Sequence, residues 1–196
     1  MNTVLTISLP PPPFVAAEAL RYAGAKTNDR ATEARLTEAY SVAAPLFTYT
    51  VAYRLFEVEA KDDTVAIGPI RTHSRTLSGA LSCSRRAILL AATVGARFDR
   101  LLIREGRLSP ARALLFEAIG AERVEALLDA FEAHMSEALG ATLSHRVSPG
   151  YGDLPLALQS DIFPLLDCER RLGLTLSDSL LMSPKKSVTA FIGIRE

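Results

Sequence analysis

The sequence contains few of the residues that build metal sites or disulfide scaffolds. Its 196 residues include two cysteines, three histidines and no tryptophan. Neither cysteine has a close partner in the sequence, so we expect free thiols and a reducing compartment. The histidines and cysteines show no paired spacing, so we predict no metal site.

An excess of charge of one sign is also absent, because 22 lysines and arginines balance 22 aspartates and glutamates. A protein that binds nucleic acid through its phosphates needs a clear basic excess, so we expect no nucleic-acid partner. The patterns GxxxxGK[ST], GxGxxG and GxSxG do not occur in the sequence. Their absence argues against a phosphate loop, a Rossmann nucleotide site and a serine hydrolase, and we assign no catalytic residue.

Long apolar runs are absent as well. The start of the chain, 1–9, carries no basic region, its apolar stretch is short and broken, and four prolines follow at 10–13. This is unlike a signal peptide or a membrane-spanning helix, so we predict a cytoplasmic protein with no membrane partner. The proline run predicts a rigid entry into the first helix, and a ligand for a proline-binding module is the alternative.

The hydrophobic pattern predicts an α+β protein. Hairpin-paired strands and long helical runs indicate a twisted antiparallel sheet with helices packed around it. We expect one domain over 1–196, with a helical part at 1–45 and the sheet and ligand site at 46–196. Helices are predicted at 14–22, from a cap at Asn28 or Asp29 to Ala43, and at 73–81, 97–104, 110–139 and 156–172. Strands are predicted from 47 to a turn at 61–63, and at 64–67, 86–94 and 187–194.

Three local signals refine this prediction. The alternation of apolar residues over 47–55 then changes phase, which predicts a β-bulge near Leu55–Phe56. Ser109–Pro110 is typical of a helix start, and Gly140 of the end of that helix. Pro164 falls inside a predicted helix, where it removes a backbone donor, so we expect a kink or two short helices.

A loop rich in turn residues, Arg146–Pro155, carries the candidate binding site. Its proline fixes φ, and the two glycines within 149–152 can adopt positive φ, which lets a ligand approach the backbone. Arg146 and Tyr151 flank this turn, so a guanidinium and a phenol could converge on one small molecule. Arginine binds carboxylates through its planar fork. The alternative is an internal ion pair between Arg146 and an acid such as Asp153.

From this loop onward the chain resembles the reactivation domain of cobalamin-dependent methionine synthase, in a small stand-alone form. The matching segments follow one order and span about a quarter of the chain. They are the turn at 146–151, the stretch 171–179, Met182, Pro184 and the strand start at 187–190. The resemblance implies the α+β fold of that domain.

The resemblance also implies a ligand, S-adenosylmethionine. By position in the turn, its site would comprise Arg146 and Tyr151, with main-chain groups of Val147 and Ser148. The family places an acid of the long helix near the charged amino end of the ligand. Three acids share one face of the predicted helix, and we choose Glu125 from among Glu122, Glu125 and Asp129.

The implied function is reactivation of methionine synthase in trans, by reductive methylation of a cobalamin that a partner carries. The implied partners are the cobalamin-binding domain and a flavodoxin-like reductant. The family domain adds an aromatic contact after its last strand, and we expect that contact to be missing in a sequence that stops at Glu196. The alternative is therefore a non-catalytic docking subunit for a corrinoid protein that no longer binds S-adenosylmethionine.

Overall fold

The computed structural model describes residues 3–25 and 30–195. The strands are β1 Leu5–Ser8, β2 Thr50–Lys61, β3 Thr64–Ile67, β4 Ile70–His73, β5 Arg86–Thr93, β6 Thr142–Leu143, β7 Thr175–Leu176, β8 Met182–Ser183 and β9 Ser187–Arg195. The helices are α1 Ala16–Tyr22, α2 Arg30–Ala43, α3 Arg75–Leu81, α4 Ala96–Leu108, α5 Pro110–Leu139, α6 Gln159–Leu166 and α7 Cys168–Leu172. Single 3₁₀ turns precede β2, at Ala44–Leu46, and α6, at Leu156–Leu158.

Seven of the strands form one sheet in which every pairing is antiparallel. The order is β4-β3-β2-β5-β9-β6, and β1 pairs with the first half of β2. The remaining strands, β7 and β8, form a separate antiparallel pair. The α+β class and the antiparallel sheet are therefore as predicted. The division of the chain at residue 45 stays a prediction.

The sheet is covered on both faces, which gives the protein two hydrophobic cores. The first core lies between the sheet and helices α1, α2, α4 and α5, and the second lies between the sheet and α3, α6 and α7. The central strand β5 sends Ile88 and Leu90 into the first core and Ala87 and Leu89 into the second. A strand buried on both faces needs a continuous apolar sequence, which explains the run recognised at 86–94.

The predicted β-bulge at Leu55–Phe56 is wrong. The register between β2 and β5 runs without interruption from Thr50 opposite Thr93 to Glu57 opposite Arg86. The change of phase has another cause, because Leu55 packs against the first core and Phe56 lies in the second. The two halves of β2 thus bury opposite faces of a regular strand.

Several element boundaries also differ from the predictions. Residues 5–8 form a strand that the sequence analysis did not predict. The helix expected from His73 begins at Arg75, since His73 belongs to β4 and the Ser74 side chain caps the helix by accepting a hydrogen bond from Leu77 N. The cap expected at Asn28 or Asp29 lies outside the described residues.

The long helix α5 begins and ends where its signals predict. Ser109 Oγ accepts a hydrogen bond from Arg112 N, and Gly140 takes the left-handed conformation at φ 59°. Gly120 does not interrupt the helix. A Cβ at that position would lie 2.5 Å from Cε1 of Phe98, so the glycine lets α4 pack closely against α5. The segment after Pro155 forms two short helices, as expected, but they separate at Asp167 and not at Pro164.

The proline run leads into α1 and is fastened to α5 by a buried ion pair, Arg123 with Glu122. Arg123 is completely buried, and its Nη1 and Nη2 donate to the carbonyl oxygens of Pro12 and Pro13 at 2.7 Å each. Glu122 accepts from Arg123 Nε and Nη2 at 2.5 Å and from Val15 N at 3.1 Å. We call this pair and the two carbonyls the buried cluster. It supports the interpretation of the proline run as a rigid entry into α1.

Both cysteines, Cys83 and Cys168, are free thiols. Cys168 is buried, and this burial raises the pKa of its thiol to about 12. Across 3–25 and 30–195, no group of three or more histidine, cysteine or acidic side chains is placed to hold a metal ion. Over the same residues, no helix combines the length and apolarity required to cross a bilayer.

Candidate functional site

The loop after β6 is fastened to the sheet along β9. Val147 N donates to Phe191 O and Phe191 N donates to Val147 O, both at 2.9 Å. Just before it, Ser144 N donates to Gly193 O at 2.8 Å, and Ser144 Oγ accepts from Gly193 N at 2.8 Å. These bonds hold the residues from Ser144 to Val147 beside the last strand, so Arg146 projects from a fixed backbone.

The turn that follows needs its two glycines. Gly150 has φ 88° and Gly152 has φ 60°, in the region that side chains disfavour. A Cβ at Gly152 would lie 2.4 Å from Oγ1 of Thr76, so the loop also contacts α3 closely there. The predicted positive φ angles are confirmed, although the close approach at Gly152 is to α3.

Asp153 is hydrogen-bonded to the start of α3. Its carboxylate accepts hydrogen bonds from Ser74 Oγ at 2.6 Å, Arg75 N at 2.7 Å and Thr76 N at 3.1 Å. The bond from the Ser74 hydroxyl, together with those from Thr76 and the backbone, lowers the pKa of Asp153 well below its ordinary value. Asp153 is therefore not the partner of Arg146, although the internal ion pair that the alternative predicted does form, with other acids.

Arg146 instead pairs with three acids of α5. Its Nη2 donates to Glu125 Oε2 at 2.5 Å, and its Nη1 donates to Asp129 Oδ1 at 2.8 Å and to Glu132 Oε1 at 2.6 Å. The spacing of the acids, three and four residues, places them on one face of the helix. We call these four residues the cleft cluster.

The cleft cluster is unbalanced in charge. Three carboxylates face one guanidinium, which leaves two negative charges uncompensated. Partial burial lowers the pKa of Arg146, but the hydrogen bonds that it donates to Glu132 and Glu125 outweigh this effect and raise that pKa above its ordinary value. The arginine therefore stays charged at every relevant pH. An excess of negative charge favours a ligand that carries positive charge.

A cleft of about 190 Å³ opens beside this cluster. Its walls come from α5, from the loop Arg146–Pro155, which we call the site loop, and from the start of α6, β8 and β9. The residues that line it are Glu125, Leu128, Arg146, Ser148, Pro149, Gln159, Met182, Ser187, Val188 and Thr189. The cleft therefore lies alongside the start of the last strand, next to the turn that carries the predicted site.

The arrangement of sheet, helices and loop has a counterpart among solved structures. A crystal structure described as the MetH reactivation domain bound to AdoHcy matches with a TM-score of 0.68. The chain has the fold of the MetH reactivation domain. The match covers 98% of this chain and 78% of that chain, at 16% sequence identity. No family model matches the sequence, and no curated protein is significantly similar to it.

On this MetH reactivation fold, three of the five predicted site residues come together. Arg146, Glu125 and Ser148 all line the cleft. Tyr151 lies outside its wall, with 65% of its surface exposed. Val147 is buried, and its N–H and C=O both pair with Phe191, so its main chain is engaged by the protein itself.

Sequence reasoning missed other residues of the site. Glu122 was weighed as an acid facing the ligand, but it is turned inward to Arg123, and Glu132 completes the cleft cluster instead. Gln159 and Thr189 also line the cleft. A polar threonine within the apolar run of β9 was a signal for Thr189, whereas nothing local distinguishes Gln159 from a surface glutamine.

Proposed function

We propose that this chain binds S-adenosylmethionine in the cleft and docks a cobalamin-carrying protein in trans, so that the cobalamin can be reductively methylated. The observation that carries the proposal is the cleft formed by Arg146, Glu125 and Ser148 on a fold shared with the MetH reactivation domain. That neighbour was crystallised with AdoHcy, which is S-adenosylmethionine without its transferable methyl group.

The charge of the cleft supports this ligand. S-adenosylmethionine carries a sulfonium, an ammonium and a carboxylate, and is positive overall, whereas AdoHcy lacks the sulfonium charge. The cleft cluster has two uncompensated negative charges. The ammonium or sulfonium would lie against the carboxylates of α5. The ligand carboxylate would reach Arg146 by displacing Asp129, the most exposed of the three acids at 69%.

The size of the cleft also bears on the mechanism. Its volume of about 190 Å³ lies below the roughly 300–1,000 Å³ of most small-molecule pockets. Part of a nucleoside amino acid would therefore remain outside the cleft, accessible to a second protein. Methyl transfer between two proteins requires such access.

The residues of this chain would bind and orient the ligand. S-adenosylmethionine supplies the methyl group, and the acceptor is the cobalamin of the partner. A transfer of this kind depends on positioning, for which the cleft offers fixed charges on a helix and a hydrogen-bonded loop. The proposal includes a flavodoxin-like reductant as the third component.

Isothermal titration with S-adenosylmethionine tests the proposal. We expect binding by the wild type and an affinity loss of about 10- to 100-fold for Arg146→Ala, because a charge-assisted hydrogen bond contributes about 1.5–3 kcal/mol. Arg170→Ala is the matched control, since Arg170 of α7 is also paired with an acid, Asp167, and does not line the cleft. A wild type that gives no heat, with a cobalamin domain present or absent, would refute S-adenosylmethionine binding.

The second candidate function is docking of a corrinoid protein without S-adenosylmethionine. It is favoured by the internal pairing of both terminal nitrogens of Arg146 and by the small cleft. Pull-down with a purified corrinoid protein separates the two functions. Capture of that protein while titration with S-adenosylmethionine stays silent would select the docking function.

A further inference from the structure

Two polar side chains in the cleft wall are buried without a hydrogen-bond partner. Gln159 is 5% exposed and Thr189 is 1% exposed. Oε1 of Gln159 and Oγ1 of Thr189 are both inaccessible, and neither has a partner among the residues that the structure describes. Both residues line the cleft. Buried polar atoms in folded proteins are nearly always paired, so these two require an explanation.

The two residues form a neutral wall that is distinct from the charged one. Gln159 begins α6 and Thr189 belongs to β9, whereas the carboxylates of the cleft cluster come from α5. The same face of β9 sends Phe191 into the second core, so an apolar residue would suit the position of Thr189 equally well. A hydroxyl and a carboxamide in this wall offer hydrogen bonds but no charge.

We infer that Gln159 and Thr189 are ligand-binding residues that hydrogen-bond the uncharged adenosine part of the ligand. This inference rests on the proposed function and divides the cleft into two subsites, one charged and one neutral. The charged wall takes the amino-acid end of S-adenosylmethionine, and the neutral wall takes N–H or O–H groups of the nucleoside. Because both oxygens are inaccessible in the free protein, each side chain must rotate toward the cleft before a bound nucleoside can satisfy its unpaired oxygen.

Isosteric apolar substitutions test the inference with two independent measurements. Thr189→Val and Gln159→Leu remove the polar atoms with little change of volume, so the melting temperature of the free protein should stay the same or rise. Affinity for S-adenosylmethionine, measured by titration, should fall about tenfold in each variant. Thr189→Ser keeps the hydroxyl and should keep the affinity.

Ser84→Ala is the matched control. Ser84 Oγ is another inaccessible oxygen without a partner in the described chain, and Ser84 lies outside the cleft wall. Its substitution should affect the melting temperature in the same direction and leave the affinity unchanged. Ligand-observed NMR with the separate fragments completes the test. Thr189→Val and Gln159→Leu should weaken adenosine binding and leave L-methionine binding unchanged.

The outcomes distinguish the inference from the function on which it rests. If the wild type binds S-adenosylmethionine and the variants bind it equally well, the two side chains are merely buried polar groups, and only the inference is overturned. The same follows if Thr189→Ser loses as much affinity as Thr189→Val. If the wild type binds neither S-adenosylmethionine nor adenosine, the inference and the proposed function are both overturned.

Discussion

Helix α5 contributes acids to two arginine–carboxylate clusters that differ in charge balance and in exposure. In the buried cluster, Arg123 pairs with one acid, Glu122, and also donates hydrogen bonds to two backbone carbonyls. In the cleft cluster, Arg146 pairs with three acids and keeps 25% of its side chain exposed. The first is balanced in charge and sealed, and the second is unbalanced and open.

The difference shows how burial controls the use of charge. Charges can be buried only when they are compensated and hydrogen-bonded, so the buried cluster has nothing left to offer a ligand. Its effect is to fasten the proline run to α5. The cleft cluster is in contact with solvent, and hydration stabilises its two uncompensated negative charges. Charge that the protein itself does not neutralise is available to a ligand.

Breaking the buried cluster should have the largest effect on stability. Arg123→Met would leave the Glu122 carboxylate buried without its cation, at a cost of about 3–5 kcal/mol in the free energy of unfolding. Urea denaturation measures this loss. The double variant with Glu122→Leu should recover most of it, because no uncompensated charge then remains. A loss below about 1 kcal/mol for Arg123→Met would show that the pair does not fasten the segment.

Reducing the excess charge of the cleft cluster should have an intermediate effect, on affinity. Glu125→Gln removes one carboxylate from the cleft wall, so binding of S-adenosylmethionine should weaken by about three- to tenfold. Binding of AdoHcy, which lacks the sulfonium charge, should change less. Titration of both ligands at low and high salt measures the difference, which should shrink at high salt.

Glu137→Gln serves as the control for that experiment, because Glu137 is exposed on the same helix and does not line the cleft. It should leave both affinities unchanged. Equal weakening of S-adenosylmethionine and AdoHcy by Glu125→Gln would mean that the carboxylate acts by shape and not by charge.

The smallest effect is expected at Asp153, a carboxylate of the site loop that accepts three hydrogen bonds from the start of α3. Asp153→Asn weakens the start of α3 and should lower the melting temperature by about 2–4 °C at pH 7. The pKa of Asp153 is lowered in the folded protein, so its contribution is complete above the ordinary carboxyl pKa and disappears as the pH falls through the folded value. Melting curves of wild type and variant should therefore converge in acid. A constant difference down to about pH 2 would contradict this assignment.

Local signals were sufficient for much of the fold. The ends of α5 were predictable because Ser109 and Gly140 act on neighbouring backbone, and β5 because both of its faces are buried. The bulge prediction failed because the alternation of apolar residues along β2 depends on which face of the strand is buried. That face changes at Phe56, while the strand itself stays regular. Whether one face or two are covered depends on helices distant in the sequence.

The site was less predictable for the same reason. Arg146 and Glu125 were identified, but the partners of Arg146 lie 14 to 21 residues away on α5, and the local alternative, Asp153, was the wrong acid. Arg123 could not be recognised as buried, because an arginine within an amphipathic helix is ordinarily exposed. Its burial depends on carbonyls contributed from more than 100 residues away.

The attachment of β9 on both sides has a mechanical consequence. The strand is paired along its length with β5 and, at Phe191, with the site loop. Thr189 on the strand and Arg146 on the loop are therefore held by one continuous set of main-chain hydrogen bonds. Moving the two residues apart would require some of these hydrogen bonds to break. A ligand would bind between a strand and a loop whose backbone spacing is already fixed, so little of its binding energy would be spent on ordering the protein.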